Sequence, residues 1–126
     1  MKSILTTGKA PAPIGPYNQA VSFGNILFVS GQIAMNPDTG ELEVDNIEDE
    51  THRVLKNIGA ILNEAGLDYE HVLKASVFVK DMHAFGRINA VYAQYFKEDT
   101  APARELVEVS NLPKFVNVEI SVIAGI

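Results

Sequence analysis

Five stretches of the chain read as strands, and only two repeat apolar residues at helical spacing. That imbalance constrains the fold more than any other feature. Tyr17 to Phe23 and Ile26 to Ala34 are the first two strand-like runs, with Gly24-Asn25 as a tight-turn signal between them. Leu73 to Lys80, Arg104 to Val109 and Phe115 to Ala124 are the other three. Val54, Leu55, Ile58, Ile61, Leu62 and Ala65 fall on one helical stripe, which Asn46 opens as a cap and Gly66 stops. Phe85, Ile88, Tyr92, Tyr95 and Phe96 mark a second amphipathic helix. The order is β-β-α-β-α-β-β, with room for a short further strand at the N-terminus. Such an order implies an α+β fold with two helices packed on one face of a mixed sheet.

Two helices cover one face only, so the opposite face meets either water or another protein surface. In Leu73 to Lys80 the alternation puts Ala75, Val77 and Val79 on one side and Lys74, Ser76, Phe78 and Lys80 on the other. If Val77 and Val122 face the helices, Phe78 and Ile123 lie on the uncovered face. An uncovered face that is half apolar points to burial against another subunit. The plainer reading is that a few large side chains stay exposed, which is common.

The 126 residues read as one domain, 1–126, with no linker and no internal repeat. Hydrophobic residues make up 47% of them, enough for a core without staples. There is no cysteine, which excludes a disulfide framework, thiolate zinc, iron–sulfur clusters and a cysteine nucleophile. The net charge of −6, with no run of Lys or Arg, argues against a nucleic-acid partner. No apolar stretch reaches the length of a membrane span and none near the N-terminus reads as a signal peptide, so a cytoplasmic protein is expected.

Standard catalytic signatures are absent: no G-x-S-x-G, no H-E-x-x-H, no phosphate-binding loop, no G-x-G-x-x-G. His52, His71 and His83 have no metal-ligand spacing and read as surface residues, and Glu48-Asp49-Glu50 as a solvated helix N-terminus. What remains are polar residues on strands. Arg104 opens a strand after Thr100-Ala101-Pro102-Ala103. Asn117, Glu119 and Ser121 share one face of the last strand. Tyr17 follows the Gly15-Pro16 bend, and Ser30-Gly31-Gln32 interrupts an apolar run. Each has a plain structural reading. Arg104 and Glu119 could form a surface cross-strand ion pair, worth little. Tyr17 could be a core-edge aromatic, Ser30 a small filler and Gly31 a bulge.

Together these residues resemble the Rid family of reactive-intermediate deaminases, and within it the RidA-type branch. Ile14-Gly15-Pro16-Tyr17-Asn18-Gln19-Ala20 is similar to the family's G-P-Y-[ST]-Q-A opening. Val29-Ser30-Gly31-Gln32-Ile33 is similar to its S-G-Q-[IL] strand. Lys74 to Met82, then Phe85, Asn89, Tyr92 and Phe96, resemble its central strand and second helix. Pro102-Ala103-Arg104, Leu112-Pro113 and Val118-Glu119-Ile120 match its closing segments. Each motif is weak singly; five in order span nearly the whole chain.

The resemblance implies a chorismate-mutase-like α+β fold and a homotrimer whose sheets form a central barrel, with clefts between subunits. It implies hydrolysis of 2-enamine and 2-imine acids, such as 2-aminoacrylate and 2-aminocrotonate, to 2-oxo acids and ammonia, with no metal and no organic cofactor. Arg104 then matches the substrate-clamping arginine, whose planar fork binds a carboxylate bidentately. Glu119 matches the residue that orients water and moves protons. Tyr17 resembles a cleft tyrosine, Ser30 and Gly31 line the pocket, and Asn89 hydrogen-bonds near it.

The chain departs from the family in places. Leu106 stands where relatives often carry Cys, Glu105 follows the clamp, Ser121 replaces a second glutamate, and Asn18 replaces Ser or Thr. On Arg104's strand face, Leu106 would narrow the pocket and favour the small imines from serine and threonine; turned into a subunit interface, it would be core instead. Two other functions compete with the imine deaminase. One is a non-catalytic binder of 2-oxo acids that regulates amino-acid metabolism, using the same clamp. The other is an endoribonuclease or translation inhibitor, a label some relatives carry, which the acidic charge and the lack of a histidine pair argue against.

Overall fold

A computed structural model describes all of residues 1–126. Six strands form one sheet: β1 (Ser3–Leu5), β2 (Ala20–Phe23), β3 (Ile26–Gln32), β4 (Val72–Val79), β5 (Ala103–Glu108) and β6 (Val118–Gly125). Their order across the sheet is β1-β2-β3-β6-β4-β5. All neighbours are antiparallel except β4 and β5. A parallel pair needs a crossover, and α2 (Phe85–Tyr92) supplies it. The longer α1 (Ile47–Glu64) connects β3 to β4, with β6 inserted between those two strands. The α+β architecture expected from the sequence is therefore present, and the short N-terminal strand forms.

Both helices lie on one face. Val54, Leu55, Ile58, Ile61 and Leu62 of α1 are wholly buried against Leu27, Val77, Val79, Val118 and Ile120 of the sheet. Asn46 caps α1 as its sequence implies: its side-chain Oδ1 accepts from the Asp49 N–H at 2.8 Å. Gly66 ends the helix region at φ +76°, where a side chain would be strained.

The opposite face has no cover within the chain. Partnered strand residues share a face, so Ile4, Val21, Phe28 and Ile123 form one row across it, with Phe78 and Val107 beyond. Ile4, Phe23, Phe28 and Val107 are exposed, and Phe78 and Ile123 half-buried. The half-apolar uncovered face read from the alternation is thus a property of the structure.

Several boundaries move, each for a physical reason. β2 starts at Ala20, because Tyr17 N–H bonds back to the Gly15 carbonyl and the Gln19 side chain turns inward. Gln19 is buried and holds the N-terminal loop from within. It accepts from Thr7 N–H and donates to the carbonyls of Thr7, Ala10 and Pro11. α2 ends at Tyr92, and the chain then tightens through Tyr95 N–H to Tyr92 carbonyl. Tyr95 and Phe96 leave the helix to pack edge-on against Tyr69. β6 starts at Val118 because Lys114 and Phe115 sit in the left-handed region, at φ 55° and 58°. Glu50 is not part of a solvated helix end: it is wholly buried. His52 is half-buried, with Nδ1 2.7 Å from the Tyr95 hydroxyl, while His71 and His83 are exposed.

Candidate functional site

Arg104 lies near the start of the edge strand β5, in register with Ala75 of β4, and so points to the helix-covered face at its rim. There α2 receives it. Nη1 donates to Asn89 Oδ1 at 2.8 Å. The guanidinium carbon stands 4.7 Å from the Tyr92 ring centroid and 5.9 Å from that of Phe85, a cation–π arrangement that fixes the plane of the fork. No carboxylate pairs with it: the five ion pairs of the chain all involve other residues. A half-buried guanidinium, oriented by an amide and two rings but lacking an acid, is suited to a carboxylate from outside.

The residues beside Arg104 divide by face. Leu106, two positions on, shares its face and packs against the hydrophobic core. Glu105 points the other way. It pairs with Lys74 at 3.1 Å and accepts from the Ser76 hydroxyl, contacts that hold its carboxyl below the ordinary range, Ser76 contributing most. Its charge is therefore engaged across the sheet from the guanidinium.

Glu119 sits on β6 opposite Phe78, on the uncovered face. The register of β3 against β6 shifts between Val29 and Gln32, which leaves Ser30 and Gly31 bulged beside it. Gly31 has a specific reason to be glycine. A Cβ built there would come within 2.0 Å of the Glu119 Oε2, so the carboxylate lies directly over the bare backbone. Its φ is not in the left-handed region; the need is for space alone. Glu119 is half-buried, and burial pushes its carboxyl above the ordinary value of 4.5.

The Gly15–Pro16 loop closes over this end. Ser30 Oγ donates to the Asn18 carbonyl at 2.6 Å, and Ser30 N–H to the Gln19 carbonyl. Tyr17 stands 47% exposed, so it is available at the surface. Its hydroxyl accepts from the Ile14 N–H at 3.4 Å. A cavity of about 40 Å³ lies between loop and strand, lined by Ile14, Tyr17, Gly31, Ile33 and Met35 among others. A larger polar depression, about 710 Å³, lies elsewhere between the Asn36–Asp45 segment and α1 and contains none of these residues.

The candidate residues fall into two groups. Arg104, Asn89 and Leu106, with Phe85 and Tyr92, form one on the helix side. Glu119, Ser30, Gly31 and Tyr17 form the other on the uncovered side. Arg104 and Glu119 are not a cross-strand ion pair: β4 lies between their strands and their side chains leave opposite faces. Asn117 also departs from the expected face. It precedes β6, and its amide donates to buried Glu50. Sequence reasoning used Phe85 and Tyr92 only as helix markers and missed them as walls of the Arg104 seat. No three His, Asp or Glu side chains are grouped to hold a metal ion.

Comparisons with known proteins show the family and the fold. The family model described as Endoribonuclease L-PSP matches residues 7–126. A RutC family protein of Synechocystis is 52% identical over 122 residues, covering 96% of this chain and 94% of that protein. The crystal structure of YyfA from Yersinia pestis, a Rid family protein of unknown function, superposes with a TM-score of 0.97 at 48% identity over the whole of both chains. The structure of TdcF from E. coli with bound serine superposes at 0.92 with 42% identity, over 98% of each chain. With the motifs, the sheet order and these matches in agreement, the chain belongs to the Rid/YjgF family, whose sequence model is named Endoribonuclease L-PSP.

Proposed function

We propose that the protein hydrolyses reactive 2-imine and 2-enamine acids to 2-oxo acids and ammonia, in clefts between the subunits of a homotrimer. The observation that carries this reading is the unpaired Arg104 guanidinium, held ready by Asn89 and Tyr92. Every 2-imino acid carries a carboxylate beside the reacting carbon, and a planar fork grips it in two bonds. Glu119 supplies the complementary chemistry. Its carboxyl, raised above the ordinary value by burial, is suited to both accept and return a proton.

In this scheme Arg104 fixes the substrate carboxylate. Glu119 takes a proton from water as the oxygen bonds to C2 of the protonated imine. The same carboxyl gives that proton to the nitrogen. As the C–N bond breaks and ammonia leaves, the C2 hydroxyl gives its proton to the freed Glu119 carboxylate and becomes the carbonyl of the 2-oxo acid. That proton departs on the ammonia as ammonium. Because the Arg104 and Glu119 groups lie on opposite faces of one sheet, each is read as half of a site: a subunit supplies Arg104 to one cleft and Glu119 to another. The apolar uncovered face, with Phe28 and Phe23 exposed, gives the subunits a surface to bury. The bound serine of the TdcF structure supports a small ligand that carries an α-carboxylate.

The same serine favours a second reading, a binder of amino or 2-oxo acids without turnover. One assay separates the two. A dehydratase generates 2-aminoacrylate, semicarbazide traps it, and the protein is added. Suppressed trapping supports hydrolysis. Undiminished trapping, with 2-oxobutyrate still bound, leaves the binder.

A further inference from the structure

Glu50 is the one acidic side chain of the molecule that is wholly buried, and the chemistry above does not use it. No cation pairs with it. A buried charge is costly unless hydrogen bonds replace its water. Here three do. Oε2 accepts from the Asn117 N–H at 2.7 Å and from the Val118 N–H at 3.0 Å, and Oε1 accepts from Asn117 Nδ2 at 2.8 Å. The first turn of α1 favours a negative charge as well. Asn117 is gripped from its other side too, since its carbonyl accepts from the Lys80 N–H at 2.9 Å.

These bonds fall where β6 begins, directly after the left-handed pair Lys114 and Phe115. Glu119 is the next residue after Val118. Its carboxylate occupies a seat over Gly31 so close that even a methyl group on the glycine would collide with it. A small change in the entry of β6 therefore moves the carboxylate off its seat. We propose that Glu50 is a positioning residue: from the helix side of the sheet it fixes the entry of β6, and through it the place of the Glu119 carboxylate. This rests on the hydrolytic role given to Glu119 for its consequence in rate, but not for its consequence in structure.

The test uses the full chain with Glu50→Asp and Glu50→Gln. Aspartate keeps the charge but is one methylene too short to hold both backbone amides. Glutamine keeps the length, and a flip of the Asn117 amide lets it accept in place of donating. For Glu50→Asp, kcat for 2-aminoacrylate should fall at least about tenfold while KM moves less than about threefold, because Arg104 is untouched. Carbon-13 NMR of labelled glutamates should show the Glu119 carboxyl titrating lower than in the parent, as its buried seat loosens. Glu50→Gln should stay near the parent in both.

A lower melting temperature in Glu50→Asp with kcat and the Glu119 titration unchanged overturns the proposal. So does a parallel loss in Glu50→Gln. If Glu50→Asp does not fold, Asn117→Ala removes only one of the three bonds and must move both readouts the same way by less; no movement there refutes it. If the parent protein hydrolyses no imine but the Glu119 titration still drops in Glu50→Asp, the hydrolytic reading fails and the positioning stands.

Discussion

Gly31→Ala puts the central geometry under direct strain. The added methyl would lie 2.0 Å from the Glu119 Oε2 and 2.9 Å from Cδ, distances no packed structure holds. The colliding atoms are the far end of a flexible side chain, so the carboxylate swings away and the backbone stays. The stability cost should sit near the low end of overpacking, about 1 kcal/mol. The catalytic cost should be larger. Losing a positioned acid–base group typically removes about 10²–10⁴-fold in rate, equivalent to roughly 3–5 kcal/mol of barrier. The assay is kcat/KM for 2-aminoacrylate by competition with semicarbazide, with thermal melting and 2-oxobutyrate calorimetry alongside. Binding should persist, since the proposed mechanism assigns it to Arg104. A rate within about threefold of the parent would refute the seat of Glu119 over Gly31 as a functional feature. Loss of binding together with rate would show that the methyl blocks the cleft, which refutes the reasoning in a different way.

Arg104→Lys should weaken 2-oxobutyrate binding at least about tenfold, because an ammonium gives neither the bidentate fork nor the stack on Tyr92; calorimetry checks it. Burial raises the Glu119 carboxyl, so kcat/KM should fall as pH drops through a value above 4.5, and Glu119→Gln should abolish that inflection. The same shift has a stability sign: the folded state holds this proton more tightly. Stability from this group is therefore lost as pH rises from the ordinary value to the raised one, and melting curves of the parent and Glu119→Gln should diverge across that window. Gln19→Ala should cost roughly 2–4 kcal/mol, because the bonds to Thr7, Ala10 and Pro11 are left without partners; urea unfolding measures it.

Periodicity made the core of the fold legible. The stripe from Val54 to Leu62 and the alternation from Ala75 to Val79 set which faces meet, and both are buried as their spacing implies. Boundaries were less legible where side chains compete with the ladder. Gln19 turns inward and shortens β2, and the left-handed pair Lys114 and Phe115 delays β6; neither leaves a mark in hydrophobic spacing. Glu50 left a mark that charge obscured. It stands four residues before Val54 and eight before Ile58, on the buried stripe itself. The candidate site was visible as a set of residues but not as an arrangement. Arg104 and Glu119 each occupy a strand, yet strand order and register decide which faces they leave, and sequence spacing does not carry that information.

A mixing experiment tests most directly whether Arg104 of one subunit and Glu119 of another complete the site. Arg104→Ala and Glu119→Gln, each expected to be severely impaired alone, are unfolded together and refolded as mixed assemblies at equal amounts. In a cyclic trimer with one residue from each side of every interface, random assembly leaves about one quarter of the clefts with both native residues. The account predicts recovery of about that fraction of the parent's imine hydrolysis, with a trimer mass by sedimentation equilibrium. A mixture as inactive as its components, despite exchanged subunits, would mean that both residues serve from the same chain and would contradict the account.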